Sequence, residues 1–197
     1  LVRNSEELNK LRAVESQSVG SVYGILQLRL HAKVIEMKKL VENSGETEFE
    51  VELDYVTSRG NWYLNSWKNE VEKSFGLASN IGIHFFDMLG FIFGEVEDLS
   101  IKSKDLKKIE GQIKFNRAKV RWLLSIDRED LPASVSKDGA KTYRNIMING
   151  SAFEFSEGFT ELHTESYERI LRGDGYGLSQ IEPAILLVEQ LNQSLPN

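Results

Sequence analysis

The sequence predicts an α+β domain in which a largely antiparallel β-sheet carries helices on one face. Three observations predict it. From Glu48 the apolar period is two: Phe49, Val51, Leu53 and Tyr55 alternate with Glu48, Glu50, Glu52 and Asp54, the pattern of a strand with one wet face. Further strand-like runs follow one another after residue 97, so most are neighbours in sequence and pair as hairpins. Helical stripes stand before, between and after them. At 197 residues, 41% hydrophobic and 27% charged, the chain has the balance of one ordinary domain, or one domain with part of another, and not that of a disordered segment.

Taken in order, Leu8 and Leu11 stand at helical spacing behind Ser5, a cap candidate with Glu7 in the first turn. Val19 to Leu30 is apolar at nearly every position through Ile25-Leu26 and reads as a strand buried on both faces, the last strand of a different, α/β, unit. A helix follows from about Ala32, with Val34, Ile35, Lys38 and Val41 in one stripe, and Asn43-Ser44-Gly45 stops it. After the Glu48 strand comes a polar, aromatic loop from Ser58 to Ser74, then a long apolar helix from about Gly76 to Phe93 that ends at Gly94. Strands are expected over Asp98 to Lys102, Ile109 to Phe115, Lys119 to Asp127 and Thr142 to Phe155, the last folded back on Asn149-Gly150. Two helices close the chain. The first runs from Thr160, its cap, to Arg172 before Gly173; the second starts near Ser179, with Ser179 and Glu182 as a capping box and a stripe through Ile181, Ala184, Ile185, Val188, Leu191 and Leu195.

Charge and composition exclude several functions. The net charge is −6 and the one basic run, Lys102 to Lys108, reads as a strand end or turn, so nucleic acid is not an expected partner. With no cysteine, disulfides, thiolate zinc sites and a cysteine nucleophile are excluded, and a cytoplasmic setting is expected. The apolar stretch from Ile81 to Phe93 is too short to span a bilayer and carries His84 and Asp87, so no membrane is expected either.

Acid-base chemistry near neutral pH has three candidates, His31, His84 and His163. Around His84, Asn80 at i−4 and Asp87 at i+3 share a helical face, and Gly76, Ala78, Ser79 and Gly82 leave room for a ligand or a second backbone. The same pattern fits a core histidine satisfied by Asp87. His31 and Arg29 point to one side at the end of the expected buried strand, where open α/β sheets hold ligands; Arg29 suits a buried ion pair equally well. The run from Asn61 to Lys68 sets Trp62, Tyr63, Trp67 and Lys68 close together, flat apolar faces with donors suited to sugars and anions, or packing for a sheet edge. No H-E-x-x-H spacing is present and no metal is expected. Gly173, Gly175 and Gly177 do not form a dinucleotide fingerprint and read as helix-end and turn residues.

The segment Gly76 to Asp87, followed by Phe91-Ile92-Phe93-Gly94-Glu95-Val96, resembles the second-domain signature of the Gfo/Idh/MocA family of NAD(P)-dependent sugar and inositol oxidoreductases. The strings Gly24 to His31, Ser58 to Tyr63, Asn65 to Lys68, Ser79 to His84, Val120 to Asp127 and Phe155 to Thr164 resemble the branch that oxidises the 3-hydroxyl of UDP-N-acetylglucosaminuronic acid with NAD in bacterial lipopolysaccharide and O-antigen sugar biosynthesis. The resemblance implies that a nucleotide-binding half, with a G-x-G-x-x-G/A loop and a Glu-Lys-Pro motif, precedes Leu1. It makes residues 1–31 a helix-strand remnant of that Rossmann domain and 32–197 the C-terminal substrate-binding and oligomerisation domain. NAD(H) is then the cofactor of the complete protein, while this fragment alone is expected to be inactive and to bind none.

In the same resemblance His84 corresponds to the active-site histidine that takes the hydroxyl proton, and Asn80 stands where many relatives have Asp, so it reads as a substrate hydrogen-bonding group. On chemistry and position alone, Arg29, His31, Trp67, Lys68 and Tyr143 are candidates to hold the anionic nucleotide sugar. The expected partners are the UDP-sugar substrate and further copies of the chain, a homo-oligomer (dimer or tetramer) formed through the sheet face near Leu123. The alternative is a catalytically silent sugar-nucleotide-binding or assembly module of the same fold; the glycine-rich approach to His84 and the aromatic loop favour the enzyme.

Overall fold

The computed structural model describes residues 2–67, 70–137, 139–154 and 161–196. Helix α1 (Ser5–Ser16) begins one residue away from the expected cap: Asn4 Oδ1 accepts from the Glu7 N–H at 2.9 Å. Ser5 instead donates its N–H to the Glu189 carboxylate of α8 (Leu178–Gln193) at 2.9 Å. Arg12 forks onto Glu182 of the same helix at 2.8 and 2.7 Å, so α1 is fastened along α8 with Leu8 fully buried beneath it.

The expected strand from Val19 to Leu30 does not form. Only Tyr23–Gly24 (β1) is extended, paired antiparallel with β8 (Tyr176–Gly177) apart from the main sheet, and Gln27–Leu30 winds into a 3₁₀ turn. Leu26, Leu28 and Leu30 are buried in the same core as the rest of the molecule. Their apolarity therefore marks contact with helices, which a short apolar run does not distinguish from burial in a sheet. Helix α2 (Ala32–Asn43) follows as expected and stops at Ser44.

The main sheet has the order β3-β4-β5-β2-β6-β7, with β2 Phe49–Thr57, β3 Val96–Lys104, β4 Lys108–Phe115, β5 Ala118–Ser125, β6 Thr142–Ile148 and β7 Ser151–Ala152. Its neighbours are antiparallel except at the centre, where β2 runs parallel to β5 in register from Phe49 opposite Ala118 to Val56 opposite Ser125. After β2 the chain crosses over through α3 (Asn61–Leu64), α4 (Val71–Ser74) and α5 (Ile83–Phe93) to the edge strand β3, and the β3-β4-β5 hairpins then bring β5 beside β2 in the same direction.

Helices cover one face. Phe86 of α5 meets Trp122 edge-on with ring centres 5.0 Å apart, Tyr55 meets Phe85 at 4.9 Å and Phe49 meets Phe93 at 5.7 Å. On the other face Arg121 reaches Asp54 at 3.0 Å and Glu52 at 2.8 Å, and Lys119 pairs with Glu48 at 2.6 Å, a charged ladder around half-buried Leu123. The Asn149-Gly150 turn is present, with φ of 48° and 75°, the left-handed pair a two-residue hairpin needs. Asn149 also continues the ladder to β2, its N–H donating to Glu50 O at 2.8 Å while its Oδ1 accepts from the Glu50 N–H at 2.9 Å.

A 3₁₀ turn (Arg128–Asp130) and α6 (Ala133–Lys137) link β5 to β6. Phe155 and Thr160, the expected strand end and helix cap, lie outside the described residues. Helix α7 (Leu162–Leu171) is followed by Gly173 at φ 84°. The cap of α8 is Gly177, whose N–H donates to the Gln180 side chain at 2.9 Å; the Ser179–Glu182 box does not form because the helix already begins at Leu178 and Ser179 lies inside its first turn, while Glu182 pairs with Arg12. No helix among the described residues is long and apolar enough to cross a membrane.

Candidate functional site

The site is built at the start of the long apolar helix. The sequence reads as one helix from Gly76, but Ala78–Gly82 is a π-helical turn that leads into α5. Phe75 and Gly76 enter it with φ of 58° and 68°. Ser79 Oγ donates to Phe75 O at 3.0 Å and Asn80 Nδ2 to Gly76 O at 3.0 Å, so both side chains brace the entry. At Gly82 a Cβ would stand 2.5 Å from the Phe86 ring and 2.8 Å from Leu124 Cδ1. Only glycine lets the turn seat so closely on β5. A wide turn of this kind is uncommon and recurs beside functional groups.

His84 is the second residue of α5 and half-buried. Its Nδ1 is buried without a hydrogen-bond partner. Burial holds the imidazole below its ordinary pKa, and the charge of His163 on α7 adds to the effect, so the ring is kept neutral and able to accept a proton. It opens on a cleft of about 640 Å³, lined also by Ser79, Trp67, Tyr23, Lys73 and Arg3.

Asp87 does not satisfy His84. Its carboxylate is taken bidentately by Arg29, Nε to Oδ2 at 2.8 Å and Nη2 to Oδ1, with the side chains 1% and 11% exposed. Burial pushes the Asp87 carboxyl up, opposed by the guanidinium. Arg29 also donates to Gln180 O at 2.9 Å and stacks at 5.6 Å from the Phe91 ring centre and 5.0 Å from that of Tyr176. Of the two readings of Arg29, the ion pair is the one that forms.

The other candidates separate. His31 is buried and caps α2, its Nδ1 accepting from the Lys33 N–H at 3.1 Å, and it does not line the His84 cleft. With the strand replaced by a 3₁₀ turn, the ligand-facing strand end proposed for Arg29 and His31 is absent. Tyr143 stands opposite Val56, in the alternation that sends Ile146 and Ile148 to the helices and Tyr143 to the opposite face from His84. Trp67, 54% exposed, lines the His84 cleft, and Asn80 lies one turn before His84. Lys68 lies outside the described residues.

Two residues gain a place that the sequence did not give them. Tyr63, for which the sequence offers sugar contact or sheet-edge packing, is 3% exposed and lies by Asn80; burial raises its phenol pKa against the weaker opposing effects of Arg59 and Asn80. His163 is coupled electrostatically to His84 across 79 positions of sequence, beyond any local spacing signal. Among the described residues no group of three or more histidine, aspartate or glutamate side chains could hold a metal ion.

Residues 38–127 match the family model of the Gfo/Idh/MocA oxidoreductases, C-terminal alpha/beta domain. The chain is 40% identical over its whole length to the WlbA (WbpB) dehydrogenase of Thermus thermophilus, solved with NAD and alpha-ketoglutarate, and superposes with a TM-score of 0.93. A second structure of that enzyme, with NAD and UDP-GlcNAcA, gives 38% identity and the same TM-score. The chain spans 63% of the length of both. The WlbA dehydrogenase of Bordetella pertussis, in complex with NADH and UDP-GlcNAcA, shares the fold at a TM-score of 0.74 and 16% identity, over 96% of this chain and 65% of that one. The chain therefore belongs to the Gfo/Idh/MocA oxidoreductase family and carries its C-terminal α/β domain.

Proposed function

We propose that this chain is the substrate-binding and oligomerisation part of an NAD-dependent dehydrogenase that oxidises the 3-hydroxyl of UDP-N-acetylglucosaminuronic acid, a cytoplasmic step in making lipopolysaccharide sugars. The observation that carries the reading is His84: an imidazole nitrogen buried without a partner, in a ring kept neutral, at a cleft beside an exposed indole. The WlbA enzyme at 38% identity, solved with NAD and UDP-GlcNAcA, supports the substrate class.

NAD fits this site at its reacting end. An unpaired imidazole beside Trp67 and small Ser79 leaves both chemistry and room for a flat ring, and the nucleotide phosphates fall to the half that the resemblance puts before Leu1. When bound, NAD supplies the hydride acceptor. His84 accepts the proton of the 3-hydroxyl, Asn80 hydrogen-bonds the sugar, and Trp67 with Lys68 holds its anionic and apolar parts. Residues 1–31 adjoin the nucleotide-binding half and 32–197 form the substrate domain. Copies of the chain pair through the outer sheet face, where the charged ladder around Leu123 offers self-complementary rows.

The test is steady-state kinetics of the full-length protein with NAD and UDP-N-acetylglucosaminuronic acid, read by cofactor reduction. His84→Ala is expected to lower kcat by about 10²- to 10⁴-fold with KM nearly unchanged. A folded His84→Ala protein with undiminished turnover overturns the assignment.

A further inference from the structure

We infer that the Arg29–Asp87 pair is a positioning clamp: it fixes the rotation of α5 about its own axis and so aims His84 into the cleft. This rests on the proposed role of His84. The buried residues of α5 are Ile83, Phe85, Phe86, Asp87, Met88, Leu89, Ile92 and Phe93, of which Asp87 alone is charged. Apolar packing seats α5 on the sheet through Phe86 and Trp122, but it is non-directional and makes no bond that aims the turn carrying His84. His84 adds no anchor of its own through Nδ1. A bidentate carboxylate–guanidinium pair is planar and directional, so it adds to that packing a contact that fixes the orientation of this turn.

The clamp is itself held on three sides. Arg29 lies against the rings of Phe91 of α5 and Tyr176 of β8, and its Nη2 also donates to Gln180 O in the first turn of α8. The 3₁₀ turn, α5, β8 and α8 thus meet at one side chain. Asp87 follows His84 by three residues, so a rotation permitted at one is transmitted to the other with almost no loss over a single helical turn. Lysine cannot replace this arginine, since it has neither the fork nor the plane that the two rings and the carboxylate grip.

The test compares Arg29→Lys, Asp87→Asn and the apolar double variant Arg29→Met/Asp87→Leu in the full-length protein. The double variant is included because replacing both buried charges commonly preserves folding where removing one does not. Two readouts are used: kcat against KM, and the imidazole proton resonances of His84 with their titration midpoint. The groups facing His84 from its surroundings, His163, Arg3 and Lys73, are unchanged in all three variants. Each folded variant is expected to lose about 10²-fold in kcat, with KM within a few-fold and the His84 resonances shifted. Asp87→Glu in an otherwise unaltered chain, which keeps the charge and the fork, is expected to recover part of the loss. A stable double variant with wild-type kcat and unshifted His84 resonances overturns the clamp. If His84→Ala itself leaves turnover intact, the catalytic reading fails instead, while shifted resonances in the three variants still uphold the clamp.

Discussion

Replacing Gly82 by alanine tests how closely the π-helical turn is seated on the sheet. The new Cβ would stand 2.5 and 3.1 Å from two carbons of the Phe86 ring and 2.8 Å from Leu124 Cδ1. Ordinary carbon contacts lie at about 3.5–4.0 Å, so the site is short by roughly 1 Å on two sides. Neither neighbour can retreat, because Phe86 and Leu124 are 1% and 0% exposed and the Phe86 ring is braced edge-on by Trp122. Two fully buried neighbours crowded at once put the cost in the upper part of the range for overpacking, about 2–3 kcal/mol. Alanine regains about 1 kcal/mol over glycine from helix preference, so the clash wins by about 1–2 kcal/mol. For a chain of this size that lowers Tm by about 2–8 °C. Urea denaturation followed by tryptophan fluorescence, with calorimetry beside it, measures the difference. Gly45→Ala is the control: a Cβ there meets nothing within 4 Å, and its effect should stay within about 0.5 kcal/mol. A Gly82→Ala chain as stable as the original would refute close seating of the turn.

Three further outcomes are expected. His84 is held below its ordinary pKa of about 6.5, so the unfolded chain binds its proton first as pH falls, and this group's contribution to stability is full above about 6.5 and is lost as pH drops through the unfolded and then the folded value. The stability of His84→Gln should therefore depend less on pH below 6.5 than that of the parent, and His163→Gln should raise the His84 midpoint in an NMR titration; identical pH profiles for parent and His84→Gln would remove the burial argument. Lys104 donates to Leu191 O at 3.1 Å and Asn192 O at 2.7 Å, closing the end of α8 from β3, so Lys104→Met is expected to cost about 1 kcal/mol and to speed amide exchange selectively in the last turn of α8, which hydrogen-exchange mass spectrometry would show or deny.

What could be read from the sequence was whatever depends on local periodicity. The alternation from Glu48 to Tyr55 gave β2 its face correctly, because one side meets helices and the other a charged ladder. Asn149-Gly150 gave the hairpin because its backbone must take positive φ at both positions. Gly94 likewise ended α5, at φ 94°. Val19 to Leu30 misled because apolarity reports burial and not the partner that buries it. The caps of α1 and α8 fall on Asn4 and Gly177, and Ser5 and Glu182 pair with Glu189 and Arg12 instead, contacts that no window of sequence contains. At the site, His84 and Trp67 could be found by type and neighbourhood. The fate of Asp87 could not, since its partner Arg29 lies 58 positions away.

The parallel centre of the sheet bears on how the chain is made. Strand β2 lies between β5 and β6, so both of its partners come later in synthesis, the nearer beginning at Ala118 against an end at Thr57 for β2 itself. At about 5–20 residues per second, the intervening sixty or so residues keep β2 waiting for roughly 3–12 s with two open edges. An exposed strand of nine residues with Phe49, Val51, Leu53 and Tyr55 on one side is an invitation to pair with a neighbouring nascent chain. Glu48, Glu50, Glu52 and Asp54 answer that hazard, since two such strands brought side by side would align acidic rows and repel. The carboxylates that later meet Arg121 and Lys119 thus protect the strand before those partners exist, and the ladder on the finished sheet retains that earlier safeguard.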